Sequence, residues 1–256
     1  KTVIRYQYII RRMMRSVGVP TRSVTVYHLR KYLAQEKDRG ISDRTLEGNR
    51  EVFSAYFNWL QREGLIDQNP TANLGAIKCA KKIKTIYSDV DIEKLKTSCK
   101  CVRDRAIVMF LLTTGCRISE MCNLNRDDVD LVNLECKVFG KGKKERTVYL
   151  SPVSGMLIKN YLSERTDESR ALFAGKGTSR MHPGGVRAML CRVAEDASVD
   201  HVHPHKFRRT LATNLIRHGM AIQEVAAVLG HDKLDTTMEY VVLNKNDIKN
   251  AYNKCA

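Results

Sequence analysis

Apolar residues in the first 72 positions recur at helical spacing, and that periodicity stops after Asn69-Pro70. The spacing predicts helices from Val3 to Met14, Thr25 to Lys37 and Arg44 to Arg62, broken at GVPTRS, RGISD and QNP. Ser42-Asp43 reads as an N-cap with Glu47 in the first turns, and Phe53, Tyr56, Phe57, Trp59 and Leu60 as the core of a small bundle. The stretch LGAIKCAKKIKTIYS that follows carries Lys78, Lys81, Lys82 and Lys84 with little helical period, which suits an extended linker able to track a phosphate backbone. The chain is therefore expected to divide into a helical domain over 1–74, a basic linker over 75–87 and a second domain over 88–256.

The second part opens with a helix capped by Ser88-Asp89 and a buried helix through DRAIVMFLLTTG, ended by Gly115. LECKVF and ERTVYL then read as a β-hairpin closed by GKGKK, where Gly140 and Gly142 permit positive φ. Helices are predicted from Val153 to Glu164, Gly185 to Asp196, Lys206 to His218, Ile222 to Leu229 and Asn246 to Lys254. The expected fold is mainly α with a small antiparallel β-sheet in the C-terminal domain.

The 256 residues carry 44 Lys and Arg against 28 Asp and Glu, a formal charge of +16. Such an excess points to a polyanionic partner, because neutralising phosphates releases condensed counterions. A membrane partner is disfavoured, since the longest apolar run, Ala106 to Leu112, is far too short to span a bilayer. The eight cysteines are scattered without paired CxxC spacing, which fits free thiols in a reducing cytosol better than zinc or disulfides. A chain opening at Lys1 inside a helical pattern is expected to be a piece of a longer protein.

Four segments carry candidate chemistry. HPHKFRRTLATNL sets His205 and Arg208 three apart near a helix start, where backbone N–H groups favour an anion, while Phe207, Leu211 and Leu215 form the anchoring stripe. TGCRISE puts Arg117 at a helix start, with Glu120 three residues on as an ion-pair partner that also fits a role in orienting it. GKGKKER holds Lys141 at a hairpin tip between glycines, a position equally suited to a solvated turn. LGHDKLDTTMEY presents His231 beside a helix cap and Tyr240 nine residues later, on a helix for which Asp235 is the candidate N-cap. A phenol, imidazoles and guanidiniums can supply a nucleophile, proton carriers and a charge clamp for breaking a phosphodiester without metal. A core tyrosine and a surface helix rich in arginine are the plainer readings of the same residues. Asp127, Asp128 and Asp130 read as turn and cap residues rather than a metal site, because no second carboxylate group with ligand spacing occurs. No GxSxG elbow supports a hydrolase.

Taken in order, TGCRISE, GKGKKERTVYL, HPHKFRRTLATNL and LGHDKLDTTMEY resemble the tyrosine recombinase (phage integrase) family, especially its Xer-like and conjugative-transposon integrase branches. The likeness covers the whole second part, and NWLQREGLIDQNP is similar to the closing segment of the family's N-terminal core-binding domain. It implies a two-domain DNA clamp and a catalytic set of Arg117, Lys141, His205, Arg208, His231 and Tyr240. Tyr240 would attack the scissile phosphate to give a 3′-phosphotyrosyl link, and a Holliday junction would follow. Arg117, Arg208 and His231 would stabilise the transition state, Lys141 would protonate the leaving 5′ oxygen, and His205 would assist proton removal from Tyr240. The resemblance also implies a specific double-stranded DNA site, a cytoplasmic homo-tetramer exchanging its C-terminal helix (within NKNDIKNAYNKCA), and no cofactor or metal. Integration or excision of a mobile element, dimer resolution of the Xer type, a type IB topoisomerase-like activity and a catalytically silent DNA-binding regulator are the alternatives. Two positions depart from the family's pattern: Arg209 stands where it often has His, and Asp232 where it often has Ser.

Overall fold

The computed structural model describes residues 2–80, 84–140, 144–175, 179–231, 234–238, 240–243, 247, 249, 252 and 253. The chain separates into two compact units, Lys1–Lys82 and Ile83–Ala256.

In the first unit α1 (Thr2–Val17), α2 (Val26–Asp38) and α3 (Asp43–Arg62) pack mutually. Thr25 caps α2 reciprocally with His28, and Ser42 caps α3 by accepting from the Thr45 N–H. The core takes Met13, Leu29, Tyr32, Leu46, Phe53 and Phe57. One expectation fails here: Trp59 stays 47% exposed, because it lies two residues from Phe57 and so about 200° round the helix from the buried stripe. Glu47, in the first turns of α3, accepts from Arg50 and from the Ile77 N–H at 2.8 Å, fastening the segment after the bundle to α3.

The second unit is mainly helical, with a three-stranded antiparallel sheet ordered β1 (Val129–Asp130), β2 (Glu135–Phe139) and β3 (Glu145–Tyr149). The predicted hairpin is present as β2–β3. Its register sets Cys136 opposite Val148 and Val138 opposite Arg146, so the inward positions are apolar except for one arginine. At the centre runs α5 (Val102–Thr114), apolar on all sides from Ala106 to Leu112 and packed against α7 (Pro152–Ser163) and α9 (Pro204–Arg217). Around it lie α4 (Asp89–Thr97), α6 (Ile118–Asn123), α8 (Pro183–Asp196), α10 (Ile222–Leu229) and α11 (Leu234–Met238). Helices α8 and α9 start earlier than predicted because Pro183 and Pro204 occupy the first helical turn, where a missing N–H costs nothing.

Asp128 accepts from the Asn125 N–H and Asp130 from the Val132 and Asn133 N–H groups, so both serve turns. The seven cysteines among the described residues are free thiols. No helix among the described residues is long and apolar enough to cross a membrane. Most of the helix expected from Asn246 to Lys254 lies outside the described residues.

Candidate active site

Gly115 ends α5 in the left-handed region at φ +57°. A Cβ there would stand 2.9 Å from Leu211 and 3.0 Å from Leu229, so glycine is required both for the turn and for the close approach of α9 and α10. The turn delivers Arg117 to the N-cap of α6, whose Ile118, Met121 and Cys122 are buried as their spacing predicts. Glu120, only 5% exposed, accepts from the Arg117 N–H at 3.0 Å and from Arg117 Nη1 at 2.7 Å. Its carboxylate also accepts from both Nη atoms of Arg146, at 3.1 and 2.7 Å. Burial alone would raise the Glu120 carboxyl, but the bonds from Arg146 and Arg117 outweigh it and hold the group at about 2.

The N-terminal turn of α9 is fixed from several sides. Pro204 starts the helix, the His203 imidazole accepts from the Lys206 N–H, and the Tyr87 ring lies 4.8 Å from that of Phe207. Thr210 Oγ1 accepts from the Tyr87 N–H, and Arg209 donates to the Thr85 carbonyl at 2.9 Å. Held in this way, Arg208 is not the surface arginine of the plainer reading: it is 1% exposed. Its Nη1 donates to the Gly115 carbonyl at 2.7 Å, and its Nη2 to the Leu229 carbonyl and to His231 Nε2, the latter at 2.9 Å. Its Nε is buried with no partner. Burial, reinforced by the charges of Arg117 and Arg146, lowers this guanidinium to about 10, leaving it charged at neutral pH.

Gly230 caps α10 at φ +65° and turns the chain into His231. Because a guanidinium only donates, His231 Nε2 accepts from Arg208, and Nδ1 therefore carries the proton and donates to Thr237 Oγ1 at 2.8 Å. Burial first, then the charges of Arg208, Arg117 and Arg146, push this imidazole down to about 4. Thr237 is fully buried, and its carbonyl accepts from the Tyr240 N–H at 2.8 Å. That tight bond corrects one expectation. Tyr240 stands in the turn just beyond α11 rather than on the helix, and Asp235 lies inside α11 rather than capping it.

The Tyr240 hydroxyl lies 3.1 Å from His205 Nδ1. The Arg208 guanidinium carbon sits 5.7 Å from the centre of the Tyr240 ring, and the His231 ring is 5.0 Å away. Burial, then Arg208 and Arg117, lowers the His205 imidazole, so at neutral pH it is the free base that can take a phenolic proton. An open cleft of about 730 Å³ borders His205 and Tyr240 and is lined by Arg187 and Arg209. The chain thus brings Arg208, His231, His205 and Tyr240 into contact, with Arg117 joined through Glu120 to Arg146, which donates to the Val228 carbonyl near the end of α10. Lys141 and Asp232 lie outside the described residues. Arg146 and Thr237 were missed in the sequence, although Arg146 had left a signal: a charge at an inward-facing strand position, paired with buried Val138.

Comparison with known proteins agrees with this arrangement. Residues 80–247 match the phage integrase family. The chain is 30% identical to tyrosine recombinase XerC of Corynebacterium glutamicum over 88% of this chain and 76% of that protein. Its likeness to XerC of Oceanobacillus iheyensis is also 30%, covering 91% and 81%. The fold is similar to that of the Tn1549 transposon integrase in complex with a circular intermediate DNA, with a TM-score of 0.79 at 18% identity over 96% of this chain and 92% of that one. A lambda integrase dimer bound to a core site gives 0.77 at 16% identity over 93% and 71%. The chain belongs to the phage integrase family, the tyrosine recombinases, and so to the enzymes that break and rejoin DNA strands.

Proposed function

We propose that this protein is a site-specific recombinase that cuts and reseals DNA through a 3′-phosphotyrosyl bond at Tyr240 and a Holliday junction. The observation that carries the reading is the 3.1 Å approach of the Tyr240 hydroxyl to a neutral His205, beside the buried Arg208–His231 pair. Tyr240 attacks phosphorus as His205 takes its proton. Arg117, Arg208 and His231 hold the non-bridging oxygens; each such donor is worth about 2.7–4 kcal/mol in the transition state. Lys141 protonates the departing 5′ oxygen, and reversal by another strand's 5′-hydroxyl completes the exchange. The covalent link conserves the phosphodiester bond energy, so the scheme calls for neither ATP nor metal.

The first helical unit serves as the core-binding domain and the second as the catalytic domain, closing as a clamp on double-stranded DNA in the cytoplasm. Four copies act together and pass their C-terminal helices in trans. Integration or excision of a mobile element is the proposed role, and fold likeness to a transposon integrase supports it. The 30% identity to XerC supports resolution of chromosome or plasmid dimers equally well. Recombination of paired element ends, compared with resolution of direct repeats on one plasmid, separates the two.

Incubation with a nicked suicide duplex tests the chemistry. An SDS-resistant protein–DNA adduct that disappears in Tyr240→Phe is expected. No adduct overturns the proposal and leaves a silent DNA-binding protein; an adduct that survives the substitution overturns Tyr240 as the nucleophile.

A further inference from the structure

The recombinase reading leaves one largely buried charge at the site without a task. Arg146 lies on β3, with its side chain 13% exposed and all three of its nitrogens bonded within the protein. Both Nη atoms grip the two oxygens of Glu120, and Nε donates to the Val228 carbonyl at 3.4 Å. Three of its five N–H groups are thus committed inside the protein. Its partners lead to three of the residues assigned to the chemistry. Glu120 holds Arg117. Val228 and Gly230 end the helix that delivers His231, and Gly230 is so close that a Cβ there would stand 2.7 Å from Arg146 Cδ. Gly140, just before Lys141, would place a Cβ 3.6 Å from Arg146 Nη1 and 3.8 Å from Glu120 Oε1.

Resting on that reading, we propose that Arg146 is the positioning residue of the site: one guanidinium fork fixes Glu120, and hence Arg117, relative to the hairpin strand and to the turn bearing His231. The fork shape matters as much as the charge. Glu120 meets the Arg117 guanidinium through Oε1 alone, its Oε2 going to the Arg117 backbone N–H and to Arg146 Nη2, so Arg117 keeps part of its donor surface for phosphate. The charge count agrees: Arg117, Arg146 and Arg208 against Glu120 alone leave an excess of two positive charges, matched to the charge that gathers on a diester in the transition state. If Arg146 only neutralised Glu120, any cation at that position would serve. If it positions, a point-charge amine at the same place fails, because it cannot grip both Glu120 oxygens and the Val228 carbonyl together.

The test compares Arg146→Lys and Arg146→Met with the unaltered chain in single-turnover cleavage of a suicide duplex at saturating protein, alongside DNA affinity and thermal unfolding. Arg146→Lys keeps a cation against Glu120 and so is the variant expected to fold. The expected result is unchanged affinity and unfolding for Arg146→Lys, with cleavage slowed at least about tenfold. Arg146→Met should lose about 100-fold, the scale that a misplacement of about 1 Å costs. Cleavage by Arg146→Lys at the unaltered rate overturns the proposal, as does a loss that follows affinity or unfolding alone. The unaltered chain is the control for the underlying reading: absence of its adduct defeats the recombinase assignment itself, whereas adduct formation with an active lysine variant defeats only the role of Arg146.

Discussion

Replacing Gly230 by alanine separates backbone strain from steric crowding at the turn that presents His231. At φ +65° any Cβ meets its own backbone, a cost of about 1–2 kcal/mol for an L-residue. The new methyl would also stand 2.7 Å from Arg146 Cδ and 2.9 Å from its Nε, and that side chain cannot swing aside without releasing Glu120. Overpacking of this kind adds about 1–3 kcal/mol, for a total of about 2–5 kcal/mol. Gly219, in the same unit, supplies the control: its φ is +98°, but a Cβ there meets nothing within 4 Å, so Gly219→Ala should cost strain alone. The smaller unfolded-state entropy of alanine offsets both by a similar amount, about 0.4–1 kcal/mol, and drops out of the comparison. Urea unfolding of each variant, repeated in an Arg146→Ala background, closes a double-mutant cycle. The Gly230→Ala penalty should shrink there by about 1–3 kcal/mol while that of Gly219→Ala stays constant. Equal penalties at the two glycines, or a Gly230 penalty unaffected by truncating Arg146, would refute the packing argument.

Thr237→Val removes the hydroxyl that accepts from His231 Nδ1–H at a fully buried position and should cost about 1–3 kcal/mol, whereas Thr237→Ser keeps the oxygen and should cost less. Imidazole ¹⁵N shifts should place the His231 proton on Nδ1 in the free protein, and a proton on Nε2 would contradict the tautomer drawn from Arg208. With the His231 pKa held down at about 4 and that of His205 also lowered, the unfolded chain binds more protons than the native one below the ordinary histidine pKa of about 6.5. Stability is therefore full above that value and declines as pH falls towards 4. Thermal unfolding between pH 7 and 4 checks this, and His231→Asn should flatten part of the decline.

Much of the fold was legible because local rules agree with the final packing. The buried run Ala106 to Leu112 has no polar face and becomes the central helix, and alternation in LECKVF and ERTVYL sets a hairpin whose inward residues are buried. The site residues were legible from type and order, yet their relations were not. That Arg208 is buried follows from carbonyls at Gly115 and Leu229, far away along the chain, which no spacing within HKFRRT encodes. Trp59 misled for a related reason: an aromatic in a helical run was read as core without testing its angle round the helix.

The contacts also explain how so charged a cluster is stable before DNA arrives. Arg208 is buried, and an unpaired buried cation would be costly, so the fold meets both of its Nη atoms with two carbonyls and a neutral imidazole, leaving Nε without a partner among the described residues. In the proposed chemistry an arriving phosphate oxygen would take the place of the imidazole, the one acceptor of Arg208 that belongs to a side chain rather than to the main chain. The exchange costs Arg208 nothing in bond count, and it frees His231 beside the new oxygen. To donate there His231 must carry a proton on Nε2, and the Thr237 hydroxyl accommodates this because it accepts from Nδ1–H or donates to a bare Nδ1 with equal ease. In the proposed chemistry the Arg208–His231 hydrogen bond, one of those that hold the site together, is thus the one that substrate would replace.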